Sequence, residues 1–340
     1  MTENSISKSS NLVSNSSYGN KDGKLGNGIT VRGLKKSFGK LEAVQGIDLD
    51  IRAGEIFGLV GPDGAGKTTT LRMLSGILDI DSGDALVSGL SVREDPEGVK
   101  KLIGYMPQRF SLYGDLTVAE NIYFFANLFH VPSDQRIQRE KELLAASRMT
   151  PFGDRLARNL SGGMKQKLSL TCTLIHRPRV LFLDEPTTGV DPVSRRDFWK
   201  ILYALVREGM TLVVSTPYMD EAERCNRIAF MHCGRFLRCA TPHDLKAAMP
   251  GELVELCCNN YHEVDKLLYK IPEITGIKKF GSRFHVHVPN AVSAIPVIDR
   301  ELRKAGRNDH ALRPIHPNLE DVFISLVESS KTNTPLRITS

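Results

Sequence analysis

Gly61-Pro62-Asp63-Gly64-Ala65-Gly66-Lys67-Thr68-Thr69 is the stretch on which the reading turns. It fits a glycine, four residues, then Gly-Lys-Thr, the pattern of a loop that cradles phosphate. The apolar run Ile56-Phe57-Gly58-Leu59-Val60 leads into it and reads as a buried strand. Leu71 to Leu78 follows with a helical pattern. Strand, glycine-rich loop and helix form the context that the motif needs. Glycines let backbone N–H groups turn inward with no Cβ in the way. The helix start adds partial positive charge. Lys67 is expected to reach the β- and γ-phosphates of a nucleotide, and the Thr68 hydroxyl to bind Mg²⁺.

The chain has 340 residues, room for a full nucleotide domain and something smaller. Hydrophobic content of 41% with 25% charged residues is ordinary for a globular protein. The net charge of +6 suits a place beside an anionic membrane face. It is too scattered for nucleic acid, and there is no dense Lys/Arg stripe. No apolar run approaches the ~20 residues needed to span a bilayer. The polar N-terminus has no signal-peptide core. The expectation is a cytoplasmic chain whose membrane part lies on another chain. The six cysteines match no zinc spacing and read as buried or semi-buried free thiols.

Residues 1–27, rich in Ser, Asn and Gly, read as a disordered leader. Val44 to Ile51 alternates polar and apolar residues and suggests an antiparallel strand. Phe38 lies ahead of the phosphate loop, where an aromatic can stack on adenine; on its own it is more often core. Gln108 follows the short apolar run Ile103–Met106, at a strand end. Residues 117–148 read as helical, with Val118, Ile122, Phe125 and Leu128 on one face.

Ser161-Gly162-Gly163 opens a further helix, with Ser161 as cap. Two glycines at a helix start make a second anion nest. Val180-Leu181-Phe182-Leu183-Asp184-Glu185 is a buried strand ending in acid. Asp184 is placed to hold Mg²⁺ and Glu185 to act as general base for water. Asp191-Pro192 caps another helix with an apolar stripe of Phe198, Ile201, Leu202 and Leu205. Trp199 falls off that stripe, which predicts partial burial or a partner contact.

Taken in this order, the stretches resemble the nucleotide-binding subunit of an ATP-binding cassette (ABC) transporter, over roughly residues 29–245. Leu160-Ser161-Gly162-Gly163-Met164 looks like that family's signature. The resemblance implies an α/β P-loop NTPase fold, with a mixed sheet core and a helical subdomain. It implies ATP and Mg²⁺ as ligands. Gly61–Thr69 matches the Walker A loop, and Gln108 the Q-loop glutamine that contacts Mg²⁺ and the attacking water. Asp184 and Glu185 match the Walker B aspartate and catalytic glutamate, Asp191 the D-loop aspartate, and Phe38 the adenine-stacking aromatic. Lys67, Gln108 and Glu185 would then do the catalytic work. Thr68, Gln108 and Asp184 would hold the metal. In the family two cassettes pair head to tail, so Ser161, Gly162 and Gly163 would bind the partner's γ-phosphate.

One position departs. The family's switch histidine is replaced by Pro217, which has neither imidazole nor N–H. The expectation is that this chain's own site hydrolyses ATP slowly or holds it as a structural ligand; the alternative is that Glu185 suffices and the loss is tolerated.

The expected division is a cassette over 28–246, a small α+β (ferredoxin-like) module over 252–328, and a tail over 329–340. In the module, Leu253–Cys257 reads as a strand, His262–Tyr269 as a helix, Ile277–Phe280 and Phe284–Val288 as a hairpin, and Ala291–Lys304 as a helix. His285 and His287 alternate with apolar residues and read as surface histidines. A last helix carries Leu319, Val322, Phe323 and Leu326 on one face.

Such a module is similar to that of drug, polysaccharide and lipid exporters with a separate permease. The leading expectation is therefore an exporter ATPase subunit, peripheral on the inner face of the membrane. Its partners would be membrane permease subunits and a second cassette, in a homodimer or heterodimer. One alternative is a regulatory or degenerate half that pairs with an active cassette. Another is a cytoplasmic ABC ATPase acting on ribosomes or nucleic acid.

Overall fold

The computed structural model describes residues 28–109, 112–258, 264–281 and 283–332. The expected leader and the end of the expected tail lie outside the described residues, as do Ser282 of the expected hairpin turn and the start of the helix expected from His262.

The chain first makes a four-stranded antiparallel sheet in the order β2-β1-β4-β5: β1 Ile29–Phe38, β2 Leu41–Ile51, β4 Ser82–Val87 and β5 Leu90–Ser91. Ile29, Val31 and Leu34 of β1 and Ile47, Leu49 and Ile51 of β2 face one core. Helix α1 (Lys67–Leu74) fills that core with Leu71, Met73 and Leu74.

Beside it lies a six-stranded sheet. It runs β10-β9-β3-β8-β7-β6, with β3 Ile56–Val60, β6 Ile103–Met106, β7 Val180–Asp184, β8 Thr211–Thr216, β9 Arg227–His232 and β10 Arg235–Ala240. Only β10 is antiparallel to its neighbour. Every residue of β3, β7 and β8 is buried. That is the pattern of parallel strands covered on both faces, and it explains their continuous apolar runs. Helix α6 (Pro192–Arg207) covers one face through Phe198, Leu202 and Leu205. Trp199 joins them fully buried, against the expectation of partial exposure. Trp199 stands three residues before Leu202, so it lies on the same face as Phe198, Leu202 and Leu205, and the half-buried Ile201 is the residue at the edge of that face. The carboxyl ends of β3, β6, β7 and β8 share one edge, where α/β sheets present ligand-binding loops.

The stretch over 117–148 is two helices, α3 (Val118–Leu128) and α4 (Ser133–Ala146), broken before Pro132. Thr117 and Glu120 form a capping box at the start of α3. The buried face of α3 is Val118, Asn121, Ile122 and Ala126, and Leu128 is exposed rather than packed. These helices meet α5 (Gly162–Leu174) around Leu160, Leu168 and Cys172 in a core of their own. Short helices α2 (Pro96–Leu102), α7 (Met219–Ala222) and α8 (Pro242–Ala247) complete this part.

The third sheet runs β12-β13-β11-β14 and is antiparallel throughout, with β11 Glu252–Cys258, β12 Gly276–Phe280, β13 Arg283–Val288 and β14 His310–Ile315. Helices α9 (Val264–Leu268) and α10 (Ala291–Lys304) pack on one face in a split βαβ arrangement. Strand β14 went unseen in the sequence because Pro314 interrupts it; as an edge strand it tolerates a residue with no N–H. Helix α11 (Leu319–Thr332) extends past the expected tail start at 329. Its Leu319, Val322, Phe323 and Leu326 join the core of the six-stranded sheet, and Phe323 meets Phe230 at 5.3 Å.

The histidine reading needs correction. His285 is buried, and its Nδ1 lies 3.0 Å from Asp321 Oδ1 of α11. His287 is half-buried, and burial pushes its pKa down. A polar residue alternating with apolar ones marks a second face, and here α11 lies against that face. Among the cysteines, Cys172 and Cys225 are buried, whereas Cys233 and Cys239 are exposed, against expectation. Among the described residues no helix is long and apolar enough to cross a membrane.

Candidate active site

Residues 61–66 link β3 to α1 at the sheet's carboxyl edge. The cap of α1 is Gly66, at φ 107°, with no side-chain hydrogen bond to the helix start. A Cβ there would stand 2.5 Å from the Ala43 carbonyl oxygen, so glycine is required. The first N–H groups of α1 thus face the loop with no side-chain cap, which suits an anion. Pro62, Asp63 and Gly64 form an exposed rim; Gly61, Ala65 and Lys67 are buried, and Thr68 and Thr69 are half-buried.

Lys67 folds back into its own loop. Its Nζ donates to the Gly61 oxygen at 2.8 Å and the Pro62 oxygen at 3.0 Å. It also lies 3.3 Å from Glu185 Oε1, with both side chains largely out of water. The ammonium is therefore held by two carbonyl oxygens of its own loop and by a carboxylate.

Asp184 ends β7 at 1% exposure. Thr68 Oγ1 donates to its Oδ1 at 3.0 Å, and Ser215 Oγ donates to the same oxygen at 2.6 Å. A hydroxyl and a carboxylate within one hydrogen bond are hard oxygen donors, the chemistry that Mg²⁺ takes. The residues present fit the ion.

Glu185 is next, at φ 49°, a left-handed backbone that non-glycine residues rarely adopt. The conformation costs roughly 1 kcal/mol or more. It is held by two bonds from the Glu185 N–H, to the Ser215 oxygen at 3.1 Å and to Ser215 Oγ at 3.0 Å. The turn aims the carboxylate at the loop rather than along the strand. Gln108 Nε2 donates to Glu185 Oε2 at 2.9 Å, and Thr188 Oγ1 reaches the same oxygen at 3.4 Å.

One hydrogen-bonded network thus joins Lys67, Thr68, Gln108, Asp184 and Glu185, from stretches far apart in sequence. Sequence reasoning did not assign Ser215 or Thr188 to it. Ser215 is the penultimate residue of the buried strand β8, and a hydroxyl at that position was the available signal.

The other expected residues stand apart. Ser161 caps α5 by accepting from the Met164 N–H at 3.3 Å. Gly163 is buried against α6, where a Cβ would lie 2.5 Å from Ser194 Cβ. Asp191 caps α6, and Oδ1 accepts from the Val193 and Ser194 N–H groups at 3.1 and 2.9 Å. Hydrogen bonding from the Ser194 side chain and backbone holds its carboxyl below the usual range. Phe38 ends β1, about half exposed, with the Lys36 ammonium 5.8 Å from its ring centre. Among the described residues, no hydrogen bond ties Ser161, Gly162, Gly163, Asp191 or Phe38 to the Lys67–Glu185 network.

Pro217 follows β8 and is half-buried. Around it the Thr216 hydroxyl donates to buried Glu221 at 2.7 Å and accepts from the Tyr218 N–H at 3.0 Å. The turn is braced by those neighbours without a histidine.

A protein-family profile described as ABC transporter matches residues 44–188. The chain is 40% identical over 312 residues to the probable multidrug ABC transporter ATP-binding protein YbhF of Escherichia coli strain K12. That alignment covers 90% of this chain but 53% of the relative, so the chain spans about half of that protein's length. It is 34% identical over 314 residues to the daunorubicin resistance ATP-binding protein DrrA2 of Streptomyces coeruleorubidus, covering 91% of this chain and 98% of the relative. Among solved structures, the ATP binding subunit of an ABC transporter superposes with a TM-score of 0.59 at 25% identity, over 64% of this chain and 92% of the other. The loop, the acid-ended strand and the signature helix already pointed the same way: the chain belongs to the ABC transporter family, among its ATP-binding proteins.

Proposed function

We propose that this chain is the ATP-hydrolysing subunit of an ABC exporter, driving efflux of drug-like, lipid or polysaccharide cargo through a separate membrane permease. One observation carries the proposal: the Gln108–Glu185–Lys67 chain of contacts sits over a glycine-bounded loop, with Thr68 and Asp184 alongside.

In this reading Gly61–Thr69 cradles the triphosphate and Phe38 stacks on adenine. Lys67 leaves the Gly61 and Pro62 carbonyls for phosphate oxygens. Thr68, Gln108 and Asp184 hold Mg²⁺, which when bound neutralises phosphate charge. Gln108 orients the Glu185 carboxylate through its amide. Glu185 takes the proton from the attacking water, a contribution of about 10²–10⁴-fold in rate. Ser161, Gly162 and Gly163 complete the site of a second cassette, with Asp191 at that interface. Their standing apart from the loop supports a site made by two chains.

The cassette occupies 28–246 and the small module 252–328, with α11 tying the two together. The subunit works in the cytoplasm, on the inner face of the membrane. The permease docks on α3 and the Q-loop, where Tyr123, Phe124 and Leu128 are exposed. Phosphate release from ATP by the purified chain, with and without Mg²⁺, tests the enzymatic part. Co-purification with a membrane protein, rather than with ribosomes, tests the partner.

Pro217 favours a second reading, in which this site holds ATP with slow turnover and pairs with an active cassette. Pro217→His should then raise turnover severalfold. Equal rates sink this second reading.

A further inference from the structure

Between α4, α5 and α6 lies a cleft of about 840 Å³ whose lining includes no residue of the phosphate loop. That volume falls within the ~300–1,000 Å³ range of small-molecule sites. Its floor is apolar, from Leu143, Leu170, Leu174 and Leu205. Its rim carries six Arg or Lys side chains and three carboxylates.

The carboxylates do not answer the cations evenly. Asp197 is shared by Lys200 at 3.1 Å and by Arg148 and Lys167, each at 3.9 Å. At the other end, the Arg139 guanidinium donates to the Ile175 carbonyl at 2.6 Å and to Gln135 Oε1 at 3.5 Å, neither of them an anion. Burial, and the charge of Arg177 beside it, hold the Arg139 guanidinium below its ordinary pKa. That end of the cleft thus sets two guanidinium groups, Arg139 and Arg177, side by side, and among the described residues no ion pair joins Arg177 to a carboxylate, so an anion bound there answers a local excess of positive charge.

We propose that this cleft is a second ligand site, taking an amphipathic anion of the medium-chain carboxylate kind. Its head lies at Arg139 and Arg177, and its chain lies along the leucine floor. A small inorganic anion would leave the floor wet. An uncharged ligand would leave the adjacent positive charges of Arg139 and Arg177 unanswered.

The site's position gives it consequences. Helix α5 begins at Ser161-Gly162-Gly163 and α6 at Asp191, and the two helices touch where Gly163 meets Ser194. An occupant that contacts both helices acts behind both motifs. Resting on the reading of the loop as an ATP site, dodecanoate and ATP should alter each other's affinity by the same factor.

Calorimetric titration of the nucleotide-free full chain with dodecanoate, below its micellar range, tests binding alone. The expected result is one saturable site per chain. The Arg139→Gln/Arg177→Gln double variant should weaken it by about tenfold or more. Ala204→Trp, at an exposed position of the cleft wall, fills the cleft without replacing a core residue and should abolish it. Dodecyltrimethylammonium should show no saturable binding. Several weak sites per chain, an affinity unmoved by both variants, or equally tight binding of the cationic probe would overturn the proposal. Because these titrations contain no ATP, their failure is distinct from failure of the nucleotide reading.

Discussion

Glu185→Gln separates chemistry from binding at the proposed site. The substitution keeps the side chain's size and one hydrogen-bond acceptor, so the Gln108 amide retains a partner. It removes the charge that holds Lys67 at 3.3 Å. At that distance the bare attraction is about 5 kcal/mol with an effective dielectric of ~20. Desolvation of two buried groups offsets most of it. If about a quarter survives, Lys67 is released for phosphate at a gain of roughly tenfold in ATP affinity. Loss of the base lowers turnover by about 10²–10⁴-fold. Steady-state phosphate release gives the rate. Titration with ATP, followed by fluorescence of the single tryptophan, Trp199, gives the affinity. Trp199 is buried in α6, the helix capped by Asp191, which makes it a suitable reporter. Turnover within about tenfold of the native chain would refute the assignment of the base. Weaker ATP binding would refute the account of the Lys67–Glu185 pair.

Further outcomes follow from local geometry. Gly163→Ala places a Cβ 2.5 Å from Ser194 Cβ and should destabilise the α5–α6 contact by about 1–3 kcal/mol in urea unfolding, with loss of ATP turnover. Asp321→Ala removes the buried hydrogen-bond partner of His285 Nδ1 and should cost about 1–3 kcal/mol, read as a lower unfolding midpoint with the ATP affinity kept. The Asp191 carboxylate has a depressed folded-state pKa, so its contribution is present above the ordinary carboxylate range and fades as pH falls below it. Asp191→Asn should therefore flatten the acid limb of a stability–pH curve, and an unchanged limb would show that the cap titrates normally.

Much of the fold was legible because parallel strands covered on both faces must be continuously apolar. Ile56–Val60, Val180–Asp184 and Thr211–Thr216 announce themselves for that reason. The phosphate loop was legible because its backbone demands glycine at fixed places, as the 107° φ of Gly66 illustrates. Strand β14 was hidden by Pro314, which an edge position accommodates. His285 and His287 were misread because alternation marks two faces of a strand without saying what covers the second. Trp199 was misread because the stripe was drawn through Ile201, whereas the buried face of α6 runs through Phe198, Trp199, Leu202 and Leu205.

The sequence by itself determined the motifs: a glycine-rich loop with Lys67 and Thr68, an acid pair at the end of an apolar strand, and a Ser-Gly-Gly at a helix start. These are local patterns, set by backbone sterics and by strand and helix periodicity. The tertiary structure alone decided the partnerships. It set Gln108 against Glu185, Thr68 against Asp184 and Asp321 against His285, and it left Ser161–Gly163 outside the loop's hydrogen-bond network. Such contacts join residues brought together by sheet order and helix packing, and no local pattern encodes that order.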